Sequence, residues 1–117
     1  MSKVSYLIQF TITDGKSEEF ESKARAYTAA SEANEPDTLG YQWYRAEEGN
    51  ICLLQETFAS SEALLHHLGN VGPSLPELLA IAPITRFEVL GSVSAEARGT
   101  LDTLGVKYFP LMVGFER

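Results

Sequence analysis

Ile51-Cys52-Leu53-Leu54-Gln55-Glu56-Thr57-Phe58-Ala59-Ser60-Ser61-Glu62-Ala63-Leu64-Leu65-His66-His67 contains the transition on which the fold turns. Residues 51–58 read as a strand, with Ile51 and Leu53 on one face and Cys52, Leu54 and Phe58 on the other. After Ala59 the period changes to that of a helix. Ser60 can cap it and Glu62 falls in its first turn. A carboxylate (Glu56), a ring (Phe58) and an imidazole (His67) therefore stand at fixed offsets around one strand-to-helix corner.

Working upstream, residues 39–46 form a second strand rich in rings (Tyr41, Trp43, Tyr44). The turn Glu47-Glu48-Gly49-Asn50 joins it to residues 51–58 as a hairpin. Residues 3–12 alternate, with Val4, Tyr6, Ile8, Phe10 and Ile12 on one face. Asp14-Gly15-Lys16 turns the chain. From Ser17, Phe20, Ala24 and Tyr27 follow helical spacing, and Glu18 and Glu19 suit the positive end of the helix dipole. Asn34-Glu35-Pro36-Asp37 ends this helix. Downstream, Gly69 and Pro73 interrupt the second helix, Pro76 opens a further piece over residues 76–81, and Pro83 precedes a fourth strand over residues 84–93.

The order strand, helix, strand, strand, helix, strand is the α+β, ferredoxin-like βαββαβ arrangement, here assigned to residues 1–93. Residues 94–117 form a C-terminal extension. Ser94 can cap a short helix with Ala97, Leu101 and Leu104 inward and Gly105 beyond its end. Residues 106–115 are apolar and extended, but Pro110 excludes a central strand position. An edge strand is expected, or a strap packed on the same domain or on a partner subunit. The strands carry apolar residues on both faces, and no second helix pair is present to cover the outer one. A second copy of the chain is the economical cover, which predicts a homodimer.

The chain has 117 residues and a net charge of −7, without a Lys/Arg cluster, so nucleic acid and anionic membranes are poor partners. Cys52 is the sole cysteine, and its place in a strand pattern suits a small core residue. No secretory signal and no apolar run near ~20 residues appear, so a cytoplasmic setting is expected. No phosphate loop, dinucleotide fingerprint or serine nucleophile elbow is found, and neither flavin nor nicotinamide is expected. Adjacent His66 and His67 diverge by ~100° on a helix and suit no shared metal ion.

Gly15 and Phe20, Glu35-Pro36, Gly40-Tyr41, then Glu56, Phe58, Ser60, Ala63-Leu64 and His67 together follow an ordered pattern. In it the chain resembles the antibiotic biosynthesis monooxygenase family from about residue 4 to residue 92. The resemblance implies a dimeric α/β barrel. It also implies oxidation of quinol- or anthrone-like aromatics by molecular oxygen, often without metal or flavin. It departs at Gly72, where many members carry a second histidine. A haem-degrading branch has Trp where this chain has His67, and His where it has Glu77, so haem degradation is disfavoured. Extensions like residues 94–117 belong to only part of the family.

His67 is the leading candidate base, since its ordinary pKa of about 6.5 suits removal of a phenolic or enolic proton. The bland alternative is a hydrogen-bonded core histidine. Glu56 would orient His67 or hold a substrate proton; structurally it would pair with Arg86 or with backbone amides. Arg86 is the candidate oxyanion stabiliser, placed by parity on the face of Ile84 and Glu88; its bland role is a salt bridge with Glu88. Tyr41, Trp43 and Phe58 are candidates to line an aromatic pocket, with Gln9 and Gln55 as further polar contacts. The expected activity is a cofactor-independent monooxygenase acting on an electron-rich aromatic or apolar small molecule. The alternatives are a non-catalytic binding barrel and a non-oxidative isomerase or cyclase.

Overall fold

The computed structural model describes residues 3–117. Its element order is β1 (Val4–Thr11), α1 (Ser17–Asn34), β2 (Thr38–Arg45), β3 (Ile51–Phe58), α2 (Ser61–Val71), α3 (Leu75–Ile81), β4 (Ile84–Leu90), α4 (Ala95–Leu101) and β5 (Lys107–Phe109). The strands form one mixed five-stranded sheet in the order β2-β3-β1-β4-β5. The ferredoxin-like α+β architecture expected from the sequence is the observed one. A short 3₁₀ turn, Gly72–Ser74, links α2 to α3 where Gly72 and Pro73 stand.

Period-two alternation decides which side chains meet the helices. In β1, Val4, Tyr6, Ile8 and Phe10 are buried and the residues between them are half-exposed. In β3, Cys52, Leu54, Glu56 and Phe58 are buried. These residues join Phe20 of α1, Leu64 of α2, and Leu78 and Ile81 of α3 in one core. Ser60 caps α2 as its sequence suggests, its hydroxyl accepting from the Ala63 amide at 3.2 Å.

The fourth strand ends earlier than expected, at Leu90, because Gly91 turns the chain with φ +109°. A Cβ at Gly91 would lie 2.9 Å from the Lys3 carbonyl oxygen. Gly91→Ala should therefore lower unfolding free energy by roughly 1–3 kcal/mol in a denaturant titration, with the slope unchanged.

A second difference lies inside β4. The β1–β4 register shifts between Gln9 and Phe10, so that Gln9 faces Arg86 while Phe10 faces Ile84. This bulge inserts one residue and breaks simple alternation. Ile84 consequently turns to the helix side, and Arg86 stays with Glu88 on the open side.

Beyond β4, Ser94 caps α4, accepting from the Ala97 amide at 3.1 Å. Ala97 and Leu101 are fully buried in the common core. Gly105 takes the left-handed conformation, φ 71°, that ends such a helix. β5 then adds parallel to β4, pairing Val89 with Tyr108. After Pro110, Leu111, Met112, Val113 and Phe115 are all more than 70 % exposed.

Candidate active site

The cross-strand ladder sets the site. Tyr41 of β2 lies opposite Glu56 of β3, and Glu56 lies opposite Tyr6 of β1. One rung of the sheet thus presents phenol, carboxyl and phenol to the helices. Above it, α2 carries Ala63, Leu64 and His67 on its buried face, and His66 is turned to solvent. Glu35, at the end of α1, completes the group.

His67 is held between two carboxyls. Its Nδ1 donates to Glu35 Oε1 at 2.6 Å. Its Nε2 lies 2.7 Å from Glu56 Oε1, but the N–H direction misses that oxygen, and Oε1 is left without a hydrogen-bond partner. The three residues are only 2–3 % exposed. Glu35 also accepts from Asn70 at 3.1 Å, from Thr38 at 2.9 Å and from Ser31 at 3.4 Å. The imidazole ring packs edge-on to Tyr41 and tilted over Phe58, with centroids 5.5 and 5.3 Å away.

The environment drives these groups apart in acidity. Burial pushes the Glu35 carboxyl up, but hydrogen bonds from Asn70, His67 and Thr38 outweigh it and hold the pKa below the usual value. Burial pushes Glu56 up, and the nearby imidazole offsets this only in part. Burial alone would lower His67, yet the two carboxyls raise it. Glu35 is therefore the stronger acid of the two carboxyls, and Glu56 and His67 both hold a proton more readily than they would in water.

The sign of the resulting pH dependence follows. His67, raised above 6.5, binds its proton more tightly folded than unfolded, so its contribution is complete below pH 6.5 and fades as pH rises through the folded value. Glu56 acts in the same sense above 4.5. Glu35 acts oppositely, contributing above 4.5 and losing that contribution as pH falls through its lowered value. The melting temperature should therefore fall on raising pH from 6.5 towards 9, and His67→Gln should flatten that limb.

The group opens onto an apolar cavity of ≈ 50 Å³ between sheet and helices, walled by residues including Ile8, Leu54, Leu68, Leu78 and Phe87, with Tyr6, Tyr41, Trp43, Glu56 and His67. The Trp43 indole N–H is committed to Thr28 Oγ1 at 3.0 Å. The structure brings His67, Glu56, Phe58, Tyr41 and Trp43 together on the helix side of the sheet.

It does not bring Arg86, Gln9 or Gln55 to them. All three lie on the opposite, open face. Arg86 is exposed and forms a bidentate pair with Glu88, at 2.7 and 3.1 Å. Gln9 Nε2 donates to Thr85 Oγ1 at 3.1 Å, and Gln55 is exposed. The expectation that Arg86 serves the enclosed site is corrected on this geometry: its alternation parity from His67's partner strands points it away. Glu56 pairs with His67 rather than with Arg86.

Sequence reasoning missed Glu35, Asn70 and Tyr6. Glu35 reads as a helix-ending residue before Pro36, and Tyr6 as one of five core positions in an alternating strand. The one usable signal was the position of Asn70, three residues after His67 and so on its side of α2. Among the described residues, no group of three or more His, Cys, Asp or Glu is arranged to hold a metal ion. No helix among them is long and apolar enough to cross a membrane.

A ferredoxin-like sheet with an acid–base cluster buried beneath its helices defines a small single-domain scaffold with an internal site. The family model for antibiotic biosynthesis monooxygenases matches residues 4–73, and the chain belongs to that family. Among solved structures it is similar to MupZ from Pseudomonas fluorescens, with 25 % identity and a TM-score of 0.86 over 100 % of this chain and 96 % of that one. It is also similar to SnoaB, a cofactor-independent oxygenase from Streptomyces nogalater (21 % identity, TM-score 0.65, 81 % of this chain and 97 % of that one). Rv0793 from Mycobacterium tuberculosis has the same fold (19 % identity, TM-score 0.67, 80 % and 97 %). No curated protein matches the chain in sequence. The MupZ likeness alone among these three takes in the whole chain, and so the C-terminal extension.

Proposed function

We propose that the chain is a cofactor-independent monooxygenase-like enzyme whose acid–base centre is His67 set between Glu35 and Glu56. The observation that carries this is the buried Glu35–His67–Glu56 arrangement, at 2.6 and 2.7 Å, bordering an apolar cavity. Family membership supports the oxidative reading, with an electron-rich phenol, quinol or anthrone-like molecule as substrate. His67 takes the acidic proton. The resulting carbanion gives one electron to dioxygen, and the radical and superoxide combine to a peroxide anion. That anion takes the proton back from His67, and the hydroperoxide breaks its O–O bond and the C–H bond at the same carbon to lose water and leave a new carbonyl. One oxygen atom enters the product and the other leaves as water. Apolar walls exclude bulk solvent from these charged species.

The cavity is about a third of the ~150 Å³ that accommodates benzene in an engineered apolar site, so a ring enters only if a wall yields. The wall proposed to yield is the interrupted helix between Leu68 and Leu75, where the 3₁₀ turn Gly72–Ser74 breaks the helical ladder. A second copy is proposed to cover the open face, where Tyr44, Leu90 and Phe109 are each about half exposed.

A non-oxidative isomerase or cyclase is the second reading, and a specific observation favours it. Among the described residues no lysine or arginine lines the cavity, while Glu56, whose carboxyl burial makes a weaker acid, stands beside His67. Such a pair suits proton removal at one atom and proton delivery at another. Oxygen uptake with a hydroquinone panel tests the first reading: uptake above the buffer rate supports it. Substrate conversion that continues unchanged under anaerobic conditions replaces it by the second.

A further inference from the structure

Among the described residues, two buried side-chain polar atoms lack a well-directed hydrogen bond: the Tyr6 hydroxyl, and Glu56 Oε1, which faces only His67 Nε2 at 2.7 Å. They belong to directly opposed residues of β1 and β3, 1 % and 2 % exposed, and both residues line the cavity. Folding gives no reason for this hydroxyl. The Tyr6 ring packs edge-on against Phe58 and Phe87, each centroid 5.0 Å away, and phenylalanine would make the same contacts. An unpaired buried O–H is destabilising. Of the other polar groups of the lining, Trp43 is engaged with Thr28, Tyr27 with the Ser74 carbonyl, and His67 with Glu35, while the half-buried Tyr41 makes no side-chain hydrogen bond. Among the described residues, the Tyr6 hydroxyl is thus the fully buried donor left open in an apolar wall. Burial, and then the charge of Glu56, keep the Tyr6 phenol protonated far above neutral pH, so it remains a donor.

We propose that the Tyr6 hydroxyl and Glu56 Oε1 together dock one oxygen atom of the substrate, a hydroxyl or carbonyl on an otherwise apolar skeleton. Tyr6 donates to that oxygen. Glu56 Oε1 accepts its proton when it is a hydroxyl, or donates to it when it is a carbonyl. The oxygen is thereby set beside His67 Nε2. This rests on the reading of the cavity as the active site, and it adds which substrate atom faces the base.

The experiment compares phenol with toluene, which have nearly the same shape and differ in the hydroxyl, by calorimetric titration of the full chain and of Tyr6→Phe. The native protein should prefer phenol, and Tyr6→Phe should lose about fivefold of that preference while toluene binding is unchanged. The melting temperature of unliganded Tyr6→Phe should equal or exceed that of the native chain, because no partner is lost. A structural tyrosine would instead lower it. The proposal is overturned if phenol fails to bind at millimolar concentration, if the native chain shows no preference for it, if Tyr6→Phe keeps the preference, or if the variant melts lower. Binding is read without turnover, so an absence of catalysis would count against the proton-transfer reading and leave the docking result standing.

Discussion

Glu35→Ala is expected to lower unfolding free energy by about 3–5 kcal/mol, the range for removing one partner of a buried ion pair. The carboxylate is 3 % exposed and accepts from His67, Asn70, Thr38 and Ser31. Its loss leaves the buried His67 Nδ1–H without an acceptor, whereas the exposed Asn70 amide can turn to water. For a domain of this size the loss is on the order of 15 °C in melting temperature. Glu35→Gln provides the control. It keeps an acceptor oxygen but removes the charge, and should recover part of the stability while lowering the His67 pKa. Thermal denaturation together with an NMR titration of His67 separates these effects. A Glu35→Ala protein that melts within 3 °C of the native chain would remove Glu35 from the account.

His67→Gln is expected to reduce kcat/KM by about 10²–10⁴-fold on whichever substrate the native chain turns over, the usual contribution of a general base. Glutamine can still donate to Glu35, so the fold is kept. It cannot take up a proton at neutral pH, so the chemistry is not. The loss should fall on kcat rather than on KM, because the imidazole acts on the reacting proton and the apolar wall supplies most of the binding. A kcat unchanged in His67→Gln would dismiss this residue as the base, whichever of the oxidative and non-oxidative reactions the chain carries out.

Much of the fold was legible because it rests on local periodicities. The alternation of residues 4–12 and 51–58, the Ser60 cap, the Pro83 break and the Ser94 cap each declare themselves within a few positions. The strand-to-helix corner also placed Glu56, Phe58 and His67 near one another, since offsets along a hairpin and a helical row constrain their faces. Glu35 was not legible in this sense. It comes to His67 across a sequence separation of 32 residues, a distance no local rule spans. Arg86 was misplaced for a related reason. Alternation puts it with Glu88 and opposite Phe87 and Val89, as observed, but alternation alone does not say which face of the sheet the helices cover; the register shift moves Ile84, not Arg86.

The chain by itself determined the order of its elements, the apolar stripe on each helix, and the imidazole at a helix position facing the core, because each follows from residue type and spacing over one or two turns. The tertiary structure alone decided which carboxyls flank that imidazole and which polar atoms are left open to a ligand. Those properties depend on how far a side chain is withdrawn from water and what reaches it from distant strands and helices. Burial and long-range hydrogen bonding, not composition, set whether Glu56 holds a proton and whether Tyr6 has a partner.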